Sequence, residues 1–399
     1  MRRLQRKHPA RPGAHRALFP LVAAVVLVDT MFFAAVAPLL PHYSDELDLS
    51  KTAAGVLTAA YPAGTFAGAI PGGWLAARWG VKPTLLCGVA MLGVTSIAFG
   101  FANHIVLLDA ARFVQGVGGA FMWAAGMAWL VSATPPERRG ETIGAALAAA
   151  IVGVLFGPVL GGAATLVGPE IVFSGVGVVA AGLGAWAWQM PGVAPEPSPG
   201  LGALLTAMRS RPVLAGFWLF TLPALFAGVI EVLVPLRLDD LGASGAAIGA
   251  IFLLTAAVEA VLSPLAGRVS DRRGRLFPIR AGLAGAVVMA ILLPLPGAVA
   301  LLGVAVLFTF AALGAFWAPG MAMLSDASEN AGLDLALAFS ISNLAWAVGH
   351  LVGSGAGGAL ADATSDAVPY GLLGLVCAAT LVGVIGLGRA APARSPAAR

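Results

Sequence analysis

Apolar residues in this chain come in long unbroken runs, not in the alternating or one-sided patterns of a soluble fold. A bilayer-spanning helix needs roughly 20 such residues. Twelve runs fit, at about 18–40, 51–73, 83–101, 105–131, 141–165, 169–190, 212–236, 246–267, 276–295, 298–324, 333–360 and 367–388. Their length and continuity predict helices; strands of a membrane barrel are shorter and alternate. The expected fold class is all-α and integral to the membrane, with twelve transmembrane helices.

The pattern repeats. Gly73 and Gly267, Gly80 and Gly274, Pro41 and Pro235, and Ser50 and Ser244 are each 194 residues apart. A constant offset over that distance marks a duplicated unit. The longest break, Pro191 to Arg211, carries Pro195, Pro197 and Pro199, then Leu201 to Met208, which has room for a short interfacial helix. The chain therefore divides into a six-helix half (1–190), a linker (191–211) and a second six-helix half with a tail (212–399), the halves being pseudo-symmetric.

Composition agrees. Hydrophobic residues make up 59% of the chain and charged residues 11%, and mean hydropathy is +0.91, where a soluble domain carries about a quarter charged residues. Cys87 and Cys377 fall in apolar runs of opposite halves and imply neither a disulfide framework nor a metal site. No cofactor is expected. The net charge of +4 reflects topology, not nucleic-acid binding. With the N-terminus inside, 20 of the 23 basic residues fall on inside segments, leaving Lys51 and Arg237 outside and Arg112 within a span. That asymmetry makes both termini, the linker and the tail cytoplasmic; the acidic stretch Ser325 to Asn330 runs against it. The basic start is read as leading into an uncleaved first span, because the apolar run that follows is too long for a signal peptide. Compact loops fit a bacterial inner membrane, and a monomer is expected.

Three stretches carry a family resemblance. The loop after span 2 holds Gly73, Leu75, Ala76, Arg78, Gly80 and Lys82; span 4 holds Arg112, Gln115, Gly116 and Gly118; span 5 holds Gly153, Gly157, Pro158, Gly161 and Gly162. The chain resembles the major facilitator superfamily, and within it the twelve-span drug:proton antiporters. The second copy of the loop, Gly267, Asp271, Arg272 and Gly274, keeps the acid that Ala77 replaces in the first. The resemblance implies that these loops latch the cytoplasmic side shut, and the departure at Ala77 implies a latch built differently there. Arg78 and Lys82 are equally well read as ordinary positive-inside charge. Span 5 has glycines at i, i+4 and i+8 on one face and Pro158, which removes a backbone hydrogen bond. The resemblance implies gating; ordinary close packing of small residues is the alternative.

Charges inside the spans carry the candidate chemistry. A central acid costs about 2.5–3.5 kcal/mol to insert, so it faces a cavity or a partner. Asp29 lies mid-span with Phe32 and Phe33 on the same face, at a position resembling the first-span acid of drug and amine antiporters. Arg112 has Asp109 at i−3 and Gln115 at i+3; it is read either as a proton-transfer residue, as the resemblance implies, or as half of a self-neutralising pair with Asp109. Glu231, Glu259 and His350 are the second-half candidates for proton coupling. Phe33, Tyr61, Gln115, Trp123, Phe252, Trp317, Asn343 and Trp346 are candidate cavity residues, although aromatics on such spans also face lipid and neighbouring helices.

The expected function is a proton-coupled secondary transporter that exports lipophilic cationic or neutral compounds by alternating access, with protons, the lipid bilayer and a small-molecule substrate as partners. Burial disfavours the charged form of a carboxyl group, so protonation would lower the barrier to rocking. An exporter of a sugar or other small metabolite, or a uniporter, is the alternative. The scarcity of amides and tyrosines in the spans argues against a sugar site. No metal spacing, phosphate loop or nucleophile elbow supports an enzyme.

Overall fold

The computed structural model describes residues 14–135, 138–192, 201–333 and 335–390. Every regular element among them is helical. In chain order these are α1 (Ala14–Ala34), α2 (Val36–Leu47), α3 (Lys51–Trp79), α4 (Val81–Gly100), α5 (Ile105–Ala133), α6 (Arg139–Val167) and α7 (Pro169–Gln189). After them come α8 (Leu201–Ala207), α9 (Arg211–Asp240), α10 (Gly245–Arg273), α11 (Leu276–Leu292), α12 (Val299–Asn330), α13 (Leu335–Ala363) and α14 (Ala367–Ala390). Pro195, Pro197, Pro199 and the terminal arginines other than Arg16 and Arg389 lie outside the described residues, as does the side chain of Asp271.

Most helices overrun the expected spans. α3, α10 and α12 continue past the apolar run into their polar ends, so the acids of Ser325 to Asn330 belong to α12, where Asp326 pairs with Arg275 at 2.6 Å. α1 and α2 form one apolar passage from Leu18 to Leu47, interrupted by a single turn at Ala35. Eleven helical stretches among the described residues are long and apolar enough to cross a membrane, one fewer than expected. The shortfall is α11, which stops at Leu292 instead of about 295. Pro294 and Pro296 lie just beyond it and lack the amide donors that would continue the helix.

The duplication is visible in the helix ends. Ser50 and Ser244 cap α3 and α10 by the same bond, each side-chain oxygen accepting from the amide three residues on, Ala53 or Ala247, at 3.3 Å. Both helices end at glycines with positive φ, Gly80 at 100° and Gly274 at 81°, where a side chain would be strained. Packing repeats as well. α1 packs on α6 as α9 packs on α13, α3 on α5 as α10 on α12, and α4 on α7 as α11 on α14. Two further seams, α3 against α13 and α6 against α10, join helices before the linker to helices after it.

The span 5 glycines fill the first of these packings. A Cβ on Gly153, Gly157 or Gly161 would meet Leu27, Met31 or Ala35 of the α1 passage. Gly349, Gly353 and Gly357 of α13 meet Thr221, Leu225 and Val229 of α9, and these three contacted residues each lie 194 positions beyond Leu27, Met31 and Ala35. The stripe therefore serves close backbone packing, and α6 runs past Pro158 unbroken. At the seams, Gly55 sits against Ser354 and Gly358, and Gly249 against Pro158.

The two ends of the bundle differ. Where α3 begins, Lys51 pairs with Asp366 and the hydroxyl of Thr52 donates to Asp362 at 2.6 Å, tying α3 to the end of α13 and the start of α14. Where α3 and α10 end, Gly73 and Gly267 have no atom within 4 Å of an added Cβ. The close helix approach that a small residue permits is not made at Gly73 here. Arg78 lies over its own helix's Trp74, and Lys82 donates to the carbonyls of Trp188 and Met190 at 2.6 and 2.8 Å, closing the end of α7. Neither residue reaches across to the second group of helices. Gly274 and Arg272 are exposed at this same end, and Gly80 is buried.

A buried charge cluster beside a central cavity

Asp29 sits fully buried on α1. The phenol of Tyr61, from α3, donates to its Oδ2 at 2.9 Å, and Trp123 of α5 lies close to the same carboxylate. Oδ1 has no hydrogen-bond partner. Gly119 makes the arrangement possible: a Cβ there would stand 2.6 Å from the Tyr61 hydroxyl and 3.2 Å from both carboxylate oxygens.

Helical spacing sends the two following phenylalanines in different directions. Phe32 packs with Phe99 and Phe173 at centroid distances of 5.5 and 4.7 Å. Phe33 faces Tyr61, Trp346 and His350 at 4.9, 5.2 and 5.8 Å, so one ring spans from α1 and α3 to α13.

Arg112, on α5, is 1% exposed. It donates to Gln115 Oε1 at 2.7 Å and to the carbonyl of Phe33 at 3.3 Å, and its guanidinium lies over Tyr61, Phe32 and Phe33 at 5.0, 5.6 and 5.8 Å. Aromatic faces hold a desolvated cation well. Its Nε has no acceptor, and the Gln115 amide nitrogen is likewise unpartnered. The pairing with Asp109 does not form; Asp109 Oδ1 is itself without a hydrogen bond. Asp29 and Glu231 instead act on Arg112 through space.

A cavity whose empty space, open solvent included, is about 560 Å³ lies beside this cluster. Phe33, Thr58, Arg112 and Pro158 line it from α1, α3, α5 and α6. Glu231 from α9, Phe252, Thr255 and Glu259 from α10, and Phe310 from α12 line it from the other side. Glu231 also approaches His350, with Nδ1 3.6 Å from its carboxylate, and His350 stacks on Trp346 at 4.6 Å.

Of the residues singled out in the sequence, Phe33, Arg112, Glu231, Phe252 and Glu259 line the cavity. Asp29, Tyr61, Gln115, Trp123, His350 and Trp346 stand behind or beside them and do not line it. Trp317 is separate, edge-on to Phe220 at 6.0 Å, and Asn343 is half-buried on α13 away from the cavity wall. Thr58 and Phe310 were not anticipated. Thr58 had a signal, since it stands 194 residues before Phe252 and takes the matching place on the opposite wall.

The Major Facilitator Superfamily model matches residues 22–236 and again 224–399. The chain belongs to this superfamily. It is thus an integral membrane protein by family, and the two matches divide the chain at α9. Among major facilitator relatives, an MFS-type transporter ppzB of Metarhizium rileyi is 34% identical over 35% of this chain and 30% of its own. The synaptic vesicular amine transporter of Homo sapiens is 24% identical over 78% of this chain and 60% of its own. The multidrug resistance protein MdtH of Yersinia pestis is 26% identical over 78% and 80%. The first of these alignments spans under a third of that relative's length. A crystal structure of a D-xylose-proton symporter superposes with a TM-score of 0.71 over 92% of this chain and 97% of that one, at 17% identity, a likeness of fold alone.

Proposed function

We propose that this major facilitator protein is a proton-coupled exporter of lipophilic cationic or neutral compounds, working by alternating access. The observation that carries the reading is one cavity whose walls hold Arg112 on one side and Glu231 and Glu259 on the other, with Asp29 buried directly behind. Exchangeable acids around an aromatic-walled space are what exchange of protons for a cation requires. The similarity to a multidrug resistance protein and an amine transporter supports the same class.

In this reading α11 is the ninth of twelve spans, and the repeated caps and packings describe two six-helix halves that move about the α3–α13 and α6–α10 seams. Positive-inside asymmetry supports cytoplasmic termini, and the compact loops fit a bacterial inner membrane. The Lys51 end is then external and closed, and the end without contacts at Gly73 and Gly267 is the internal, open one. Asp29 takes up a proton when the cavity faces out. Its neutralisation removes a buried charge and the desolvation penalty that goes with it, and an inward proton supplies about 2.3 kcal/mol per 100 mV.

Substrate-induced proton release from the purified protein tests this, using a lipophilic cation and a sugar as ligands. Release with the cation, abolished in Asp29→Asn, is expected. Release unchanged in the variant would defeat the role of Asp29, and binding of the sugar alone would defeat the substrate class.

A further inference from the structure

The cavity is electrically lopsided. Its wall from α1, α3, α5 and α6 carries one base, Arg112, and no acid. Its wall from α9, α10 and α12 carries two acids, Glu231 and Glu259, and no base. The acids alone would call for any cation. Arg112 adds a second demand: it is buried to 1% exposure, its two terminal nitrogens are engaged by Gln115 and Phe33, and its Nε–H has no acceptor. A buried donor without a partner is costly, and a ligand acceptor that supplies the bond recovers that cost. A guanidinium edge also meets a carboxylate in a two-bond fork better than any other oxygen acceptor. Between the poles stand flat apolar rings, Phe33, Phe252 and Phe310.

We propose that the site takes amphoteric aromatic molecules, with a positive group at one end and a carboxylate or comparable acceptor at the other. The cationic end lies against Glu231 and Glu259, the anionic end against the side-on edge of Arg112, and the ring system between the phenylalanines. This rests on the exporter reading and narrows it. A purely cationic ligand leaves the Arg112 donor unmet and brings a like charge toward it. An amphoteric ligand satisfies both walls and crosses the cavity with little net charge.

A matched pair of dyes separates the possibilities. Rhodamine 110 carries a xanthylium cation and a free carboxylate; rhodamine 123 is its methyl ester, with the same cation and no anion. Binding is read by fluorescence anisotropy on the full-length protein in nanodiscs, against empty nanodiscs. Wild type is expected to bind rhodamine 110 about tenfold more tightly, the scale of one charge-assisted bond. Arg112→Gln is expected to erase that preference, Arg112→Lys to keep part of it, and Glu259→Gln to weaken both dyes alike. Equal or tighter binding of the ester by wild type overturns the proposal with no variant needed, and leaves the cation-exporter reading standing. Preference that survives Arg112→Gln, or indifference of both dyes to Glu259→Gln, overturns it as well. Binding of neither dye overturns the proposal and leaves the exporter reading to its own proton-release test.

Discussion

Tyr61 and Asp29 are joined by a 2.9 Å hydrogen bond between two different helices, with the carboxylate fully buried and its other oxygen unpartnered. Tyr61→Phe removes the sole geometric hydrogen bond to that carboxylate while keeping the ring under Arg112. Leaving a buried polar group unmet costs about 1–3 kcal/mol. A lower Tm and slower transport are expected together, from thermal unfolding in detergent and uptake into proteoliposomes. An unchanged Tm would show that the bond contributes nothing to holding α1 on α3.

The contacts at the Lys51 end give a different kind of expectation. Exposed ion pairs contribute about 0.2–1 kcal/mol each, so Lys51→Ala with Asp362→Ala leaves the fold intact. It shifts the balance of conformations away from closure at that end, by a few-fold. Spin-label distances between the starts of α3 and α14 are expected to lengthen in part of the population, while Tm stays within about 2 °C. Distances identical to wild type would remove the closing role from these residues.

Glycines that look alike in the sequence are expected to behave in opposite ways. A Cβ at Gly353 runs into the carbonyl of Leu225, and one at Gly157 into Ala34. Gly353→Ala and Gly157→Ala are therefore expected to destabilise by about 1–3 kcal/mol, as overpacking does. Gly73 has empty space around it, so Gly73→Ala should not lower stability. If α3 and α13 close on one another at that end during the cycle, Gly73→Ala slows transport at unchanged Tm. Normal transport would mean that Gly73 makes no close approach at any stage.

Lys82 offers a smaller test. Its ammonium donates to two carbonyls at the end of α7 and lies 5.5 Å from the Trp188 ring. Lys82→Ala is expected to cost about 1 kcal/mol through the lost cap, seen as faster protease cleavage between α7 and α8. A transport defect without that cleavage would return Lys82 to a latch.

Much of this was legible because membrane solvent leaves few choices. Long apolar runs must be helices, and repeated glycines and serines at one offset must cap equivalent ends, as Ser50 and Ser244 do. Individual charges were legible for the same reason, since a lone acid in lipid is expensive. What the pattern did not contain was partnership. Tyr61 finds Asp29 only once α3 has packed on α5, and Arg112 turns to Gln115 and Phe33 although Asp109 is close along the helix. The glycine stripe of α6 carried two meanings in sequence, and the position of α1 shows its close packing while leaving gating to the transport measurements. α11 was overestimated because Leu293 and Leu295 read as apolar while the prolines beside them ended the helix.

The internal repetition of the packing bears on how the chain is made. α1 finds α6, α3 finds α5, and α4 finds α7, all before residue 190. That unit has its own partners in hand when α9 has yet to be translated. At about 5–20 residues per second, it waits seconds to a few tens of seconds before α10 and then α13 arrive to close the seams at Pro158 and Gly55. During that interval two strips of small residues lie open to lipid, and a chaperone or insertase that shields them would act at that stage of synthesis and at no later one.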